Sequence, residues 1–303
     1  MSIKYILLLT LSTQFLYGVI CDYYTPSEEV GKLLEKYDHR NDSRYPFELG
    51  LGYYYQGDIM LVPPSKSRVS VSEQYAEQIW PGGRVPYQIL GSFTESQLST
   101  INSAIELYNK HTCIRFVEKT DEDQLWIKIV NNRTGCWSYI GRQTDNQYNM
   151  INLNTPGCTR TVGTPVHEMM HALGYFHEQA RPDRDEYISI NRSALMPQYQ
   201  TDEFYNSNFE KLEANEVETY KIPYDYGSVM HYSKFAGAAS REYPVMNNKK
   251  PWDGDFGSET GFSENDIKQI SLRYKCDTKK KSKKQRKMKN KTNLTNRKLA
   301  KGE

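Results

Sequence analysis

Histidine is scarce in this chain of 303 residues, which has six against 24 tyrosines. Long apolar runs are scarcer. A membrane-spanning helix needs about 20 predominantly apolar residues. Nothing after the N-terminus approaches that, so a polytopic membrane protein is excluded. Internal repeats are missing as well, which excludes a solenoid or a propeller. Net charge is small, at +2, but that sum hides two opposed parts. Residues 279–303 hold twelve Lys or Arg against one Glu, and the rest of the chain holds 27 basic and 36 acidic side chains. An acidic body of net −9 therefore carries a basic tail of net +11. What is present suits a soluble globular protein: 38% hydrophobic and 25% charged residues, in a chain long enough for a sizeable core.

The N-terminus reads MSIKYILLLTLSTQFLYGVICDYY: one lysine, an apolar stretch broken by Ser, Thr and Gln, then small or compact residues. That order marks a secretory signal peptide, expected over residues 1–21 with cleavage between Gly18 and Cys21. The run is too short and too polar for a membrane anchor. A secreted, extracellular location makes disulfides the ordinary fate of cysteine. If Cys21 leaves with the signal, Cys113, Cys136, Cys158 and Cys276 remain and allow three pairings. Sequons begin at Asn41, Asn132, Asn191, Asn290 and Asn293 and can accept glycans on that route.

Residues 22–70 read as a separate, lightly structured piece, with one amphipathic helix in PSEEVGKLLEKYDHR and an extended stretch after it. Pro63, Pro64, Lys66 and Arg68 mark an exposed connection that a processing protease can reach. Globular patterning starts at IWPGGRVPYQIL, with a strand at RVPYQIL. A helix follows at TESQLSTINSAIELYNKHT, with Thr94 as its N-cap. Three β-rich runs come next, at CIRFVEKT, QLWIKIVNN and YNMINLN. A last helix is expected in SENDIKQISLRYKC, with Ser263 and Asp266 in capping-box positions. Ahead of it, the stretch from Phe204 to Ala238 reads as irregular and polar. Residues 278–303 lack aromatics and core-forming periodicity, so a disordered tail is expected. Its charge suits polyanions such as sulfated glycans rather than nucleic acid, which a secreted chain does not meet.

Half of the rare histidines sit together, in HEMMHALGYFH. His167 and His171 are four apart, so on a helix they share one face and can bind one zinc ion at roughly 2.0–2.1 Å each. Glu168, beside His167, suits proton transfer from a metal-bound water rather than ligation. Gly174 accepts a positive φ at little cost, so the helix can end there and turn the chain sharply. That turn brings His177 back as a third ligand. Three protein ligands leave a fourth position for water, as a catalytic zinc site requires. Met169, Met170, Ala172 and Leu173 between them read as core.

At these residues the sequence resembles the astacin family of metzincin zinc metalloproteases. HEMMHALGYFHEQARPDRDEYI is similar to that family's extended zinc signature, and YDYGSVMHYS to its downstream Met-turn. The resemblance runs from Trp80 to Cys276. It implies an α+β, two-lobed catalytic domain over residues 71–277, with a mixed twisted sheet, a long zinc-binding helix and a less regular C-terminal lobe. It implies one Zn2+ per chain on His167, His171 and His177, with Glu168 as general base and proton shuttle. Met230 would form the apolar floor under the metal. Tyr232 would be a weak extra ligand that swings away to hydrogen-bond the tetrahedral intermediate. Glu178 would hold the new N-terminus of the mature enzyme. His231, flanked by Met230 and Tyr232, is expected to be structural, and His39 and His111 solvent-facing or structural.

The resemblance also gives the segment before the domain a role. The family keeps its precursor inactive with an aspartate in an F-x-G-D-like motif, which binds zinc in place of the catalytic water. Gly57-Asp58 fits, with Tyr54 or Tyr55 near the usual aromatic. Residues 22–70 are then a pro-segment, and Asp58 a ligand in the zymogen only. A cysteine switch is excluded, because the upstream cysteine, Cys21, sits at the signal boundary. Activation needs a cut between Asp58 and Trp80, near Val71 or beside Lys66 and Arg68. The family pattern pairs Cys113 with Cys276 and Cys136 with Cys158. The expected activity is zinc-dependent hydrolysis of internal peptide bonds in extracellular proteins or peptides. Two rivals are a silent zinc-bearing binding module, against which Glu168 argues, and a matrix ligand led by the tail.

Overall fold

The computed structural model describes residues 27–62 and 78–276. The expected signal peptide, the activation stretch around Lys66, Arg68 and Val71, and the basic tail lie outside those residues. In chain order the elements are α1 (Glu28–Lys36), β1 (Ile59–Met60), β2 (Arg84–Ile89), α2 (Glu95–His111), β3 (Arg115–Glu118), β4 (Ile127–Val130), β5 (Cys136–Tyr139) and β6 (Met150–Leu153). Then come α3 (Gly163–Ala172), β7 (Ile188–Ile190), α4 (Asp202–Phe209), β8 (Met246–Asn248) and α5 (Glu264–Arg273).

Six strands make one mixed sheet in the order β1-β5-β6-β4-β2-β3, parallel throughout except for β5 against β6. Its β-branched residues Val85, Ile127, Ile129 and Ile151 are buried, which is where such side chains pack best. Helix α2 buries Ile101, Ala104, Ile105 and Tyr108, one stripe at helical spacing. Its first turn carries the expected cap. Thr94 Oγ1 accepts from Gln97 N, and Gln97 Oε1 from Thr94 N at 2.9 Å. At α5, Ser263 and Asp266 form the same reciprocal box.

Helix α3 is buried at every residue. A helix end leaves its last carbonyls without internal partners, and here three parts of the fold supply them. Trp80 Nε1 donates to Ala172 O at 3.0 Å, Tyr274 Oη to Leu173 O at 3.1 Å and Gly141 N to His171 O at 2.8 Å. Near its start, Tyr108 Oη donates to Val166 O at 2.8 Å. The helix is thus held along its length by α2, the residue after α5 and the loop after β5.

The disulfides join Cys113 to Cys276 and Cys136 to Cys158, the pairs that the resemblance implies. The first closes a span of 163 residues and ties the end of α2 to the chain just after α5. In the chain-entropy view such a loop contributes about 5 kcal/mol.

Three expectations need correction. Residues 27–62 are not a separate, lightly structured piece: Val30, Leu34, Tyr37, Phe47, Leu49, Leu51, Tyr54 and Met60 belong to the same core as the rest. These side chains follow no single period, because the chain around them turns repeatedly, including a 3-10 turn at Pro46–Gly50. Strand β1 lies parallel to β5, pairing Ile59 with Ser138 and Met60 with Tyr139. Second, the stretch from Phe204 to Ala238 is irregular as expected, yet far from polar inside. It buries Tyr224, Tyr226, Val229, Met230 and Tyr232, and opens within α4, capped by Thr201. Third, four strands rather than three lie between α2 and α3: β5, CWSY, follows a Gly135 turn at φ +93°.

Candidate metal centre

His167 and His171 project from α3, which is capped at Leu173. Gly174 takes φ +94°, and a Cβ there would sit 2.6 Å from the Arg273 guanidinium. Glycine meets the positive φ without strain and leaves the guanidinium its place. The turn returns His177, and Asp58 comes in from beside β1. One ligand atom from each of Asp58, His167, His171 and His177 lies within 4.8 Å of the others, and all four residues are buried. Asp58 Oδ2 is 2.9 Å from His167 Nε2 and 3.2 Å from His177 Nε2, and Oδ1 is 3.4 Å from His171 Nε2.

The other ring nitrogens decide what those contacts are. His167 Nδ1 faces Val229 O at 2.6 Å, His171 Nδ1 faces Tyr175 O at 2.7 Å, and His177 Nδ1 faces Gln56 Oε1 at 2.9 Å. A carbonyl oxygen only accepts, so each Nδ1 carries the proton and each Nε2 turns a lone pair inward. Burial lowers the pKa of His167 and brings that of His177 down to about 4, which keeps both rings neutral. Three lone pairs and a carboxylate therefore face one another. His171 Nε2 and Asp58 Oδ1 have no hydrogen-bond partner among the described residues. Such a cluster is repulsive until a cation enters it. Ligands roughly 2.0–2.1 Å from a tetrahedral zinc stand about 3.3 Å apart. The three Asp58 contacts and the His167–His177 pair fall between 2.9 and 3.4 Å, and all the ligand atoms lie within 4.8 Å of one another. Three imidazoles and a carboxylate suit zinc in donor type as well.

Glu168 is fully buried, and neither carboxylate oxygen has a hydrogen-bond partner among the described residues. Burial, with the Asp58 charge adding, raises its pKa well above the ordinary value. Tyr232 is also fully buried; its ring centroid lies 4.7 Å from that of His177, and its hydroxyl donates to Gln56 O. Met230 sits in the turn after Val229, the residue that accepts from His167, and Met230 O accepts from Glu178 N at 2.9 Å. Glu178 is buried, with Oε1 accepting from Arg181 Nη1 at 3.0 Å and from Asp225 N at 2.9 Å. Burial pushes its carboxyl up to about 7 against the pull of Arg181. His231 stays outside the cluster, bonded through Nε2 to Tyr224 Oη and through Nδ1 to Tyr232 O, each at 2.7 Å. His39 and His111 are exposed.

Four residues around the cluster were not foreseen. Phe47 stacks on His167 with centroids 3.8 Å apart. Of the two tyrosines near Gly57-Asp58, Tyr54 donates to Thr134 O. Gln56, at φ +46°, serves His177 with its side chain and Tyr232 with its carbonyl. Glu48 accepts from Ser233 N and from Ser233 Oγ. Asp266 accepts from Ser228 Oγ at 2.6 Å and from Val229 N at 3.0 Å, beside the turn that holds His167. Asp266 alone had a signal, as an aspartate where a capping box prefers glutamate.

The model of the Astacin peptidase family matches residues 72–275. Zinc metalloproteinase nas-14 of Caenorhabditis elegans is 37% identical over 203 residues, 67% of this chain and 38% of that protein. Bone morphogenetic protein 1 of Xenopus laevis is 36% identical over 208 residues, 66% of this chain and 27% of that one. The chain thus spans well under half the length of these two relatives. Among solved structures, High choriolytic enzyme 1, a hatching enzyme zinc-protease from Oryzias latipes, aligns with a TM-score of 0.57 and 31% identity. That alignment covers 66% of this chain and 96% of the other. With zinc as the cofactor that its donor set fits, and a family match across nearly the whole globular part, this chain belongs to the astacin family of zinc metallopeptidases.

Proposed function

We propose that this chain is a secreted zinc metalloendopeptidase, in a latent form that its own N-terminal segment holds closed. The observation that carries this reading is the inward-facing set of three Nε2 lone pairs with Asp58 among them. His167, His171 and His177 would hold the zinc, with Asp58 as a further carboxylate ligand in the latent form. When bound, the metal polarises the scissile carbonyl and acidifies a water.

The chain's own groups do the rest. With residues 22–70 removed and Asp58 gone, the Glu168 carboxylate takes the proton of the attacking water and delivers it to the leaving amine. Its burial, with no hydrogen-bond partner among the described residues, supports that role. The Tyr232 phenol, freed from Gln56 O, donates to the oxygen that gains charge in the transition state. Met230 lines the site without ligating, and Glu178 exchanges part of its present bonding for the new N-terminus. Exposed sequons at Asn41, Asn132 and Asn191 support a secretory route, as does the N-terminal signal pattern. The substrates are extracellular proteins or peptides, and residues 278–303 add attraction to polyanions.

The test is zinc content and casein or gelatin cleavage after removal of the N-terminal segment, for wild type beside Glu168→Gln. The reading expects zinc in both and cleavage in wild type alone. Zinc in both with cleavage in neither, across several substrates and with the new N-terminus verified, would replace it by a binding module. Deleting residues 279–303 should abolish polyanion binding and leave the peptidase intact.

A further inference from the structure

The N-terminal segment grips the domain along its whole described length, not only at Asp58. At one end, Val30 and Leu34 of α1 are fully buried. Leu34 lies against the loop before Cys158, where a Cβ on Gly157 would come within 2.7 Å of it. In the middle, Tyr37, Phe47, Leu49, Leu51 and Tyr54 are all buried. At the other end β1 covers the edge of β5, with Ser138 N donating to Asp58 O at 2.9 Å. Polar anchors accompany the apolar ones. Tyr45 Oη donates to Phe256 O at 2.5 Å, Tyr54 Oη to Thr134 O at 2.9 Å and Gln56 N to Ser207 O at 3.0 Å. Ser233 Oγ donates to Glu48 at 2.8 Å.

Such a surface has the make-up of a tight protein–protein interface: buried aromatic and aliphatic anchors with matched polar contacts between them. Cutting the chain beyond residue 62 removes none of these contacts. It changes only the concentration of the segment, from tethered to free.

We propose that a cut between residues 62 and 78 does not by itself activate the protein, because residues 27–62 stay bound as a separate inhibitory chain. Activation is then two-step: one hydrolytic cut, which adds one water across one peptide bond, and a second event that destroys or displaces the bound segment. The turn at His39–Asn41 is exposed and offers a protease a place for that second cut. This inference rests on the latent-peptidase reading.

The test uses the full chain, with a recognition sequence for a site-specific protease placed between residues 62 and 78. After complete nicking, the protein is diluted to about 100 nM, where a complex of micromolar Kd falls apart. It is then followed by size exclusion, zinc analysis and peptide cleavage. The expected result is co-elution of both fragments, retained zinc and little activity. Leu34→Glu, remote from the metal centre, should release the fragment on nicking and raise activity at least about tenfold, the yield of a lost hot-spot anchor. If Leu34→Glu yields no soluble chain, Tyr45→Phe should speed fragment dissociation while preserving shape. Separation of the wild-type fragments on nicking overturns the proposal, and so does co-elution with full activity. A Leu34→Glu chain that sheds its fragment, keeps zinc and remains inactive sinks the peptidase reading and leaves the retention standing.

Discussion

The two halves of the metal centre are built differently. His167, Glu168 and His171 stand on α3, a helix buried at every residue and fastened at both ends by side chains from other elements. His177, Met230 and Tyr232 stand on turns. The helical ligands draw their outer partners from within the catalytic domain, Val229 O and Tyr175 O, whereas His177 draws its partner from Gln56 of the N-terminal segment. Tyr232 likewise bonds to Gln56. In the latent-peptidase reading, a regular element supplies what must not change on activation, and turns supply what must. The helical half is complete in itself; the other half is finished by the N-terminal segment.

The largest expected effect comes from the helical half. His171→Ala should strip the zinc and take peptide cleavage below detection, read by metal analysis and casein turnover, because two imidazoles no longer make a catalytic site. Tyr232→Phe on the other half should leave zinc and KM nearly unchanged in the activated enzyme while kcat falls about 10²-fold, the scale of one lost oxyanion donor. Equal losses in KM and kcat would instead make Tyr232 a packing residue. Gln56→Ala sharpens the comparison most. In the full chain it should weaken metal retention against a chelator roughly tenfold, as outer partners do, and after activation it should do nothing. The same substitution has no counterpart for His171.

The smallest effect is one of pH. Burial pushes the Glu48 carboxyl from 4.5 up to about 8, outweighing its bonds from Ser233 and Tyr45, and Asp255 adds repulsion. The docked form therefore binds a proton that the undocked form lacks between those two values. Its contribution is fully present below pH 4.5 and is lost as pH rises through about 8. The thermal midpoint of the full chain should fall across that window, and Glu48→Gln should flatten the fall. An identical slope in both proteins would remove Glu48 from the docking account.

What the sequence made legible follows the same division. The ligands on α3 follow from a spacing of four, and the return of His177 from a glycine, the residue that takes φ +94° at least cost. Thr94, Ser263 and Asp266 announce their helices because a cap is local chemistry. The core around residues 204–238 was illegible, since tyrosines buried by irregular backbone follow no period, and the hydroxyls that make them look polar are bonded inside. The grip of residues 27–62 was hidden for the same reason. Phe47 stacks on His167 from far back in the sequence, and nothing local marks that contact.

Asp266 serves two structures with one carboxylate: the first turn of α5 and the turn that carries Val229 and Met230. Neither can be altered alone. Any change that lengthens, shortens or rotates the start of the last helix also moves the carbonyl that orients His167, about a hundred positions back in the chain. The two turns move as one joint, and grafting a different last helix onto this chain means grafting the turn with it.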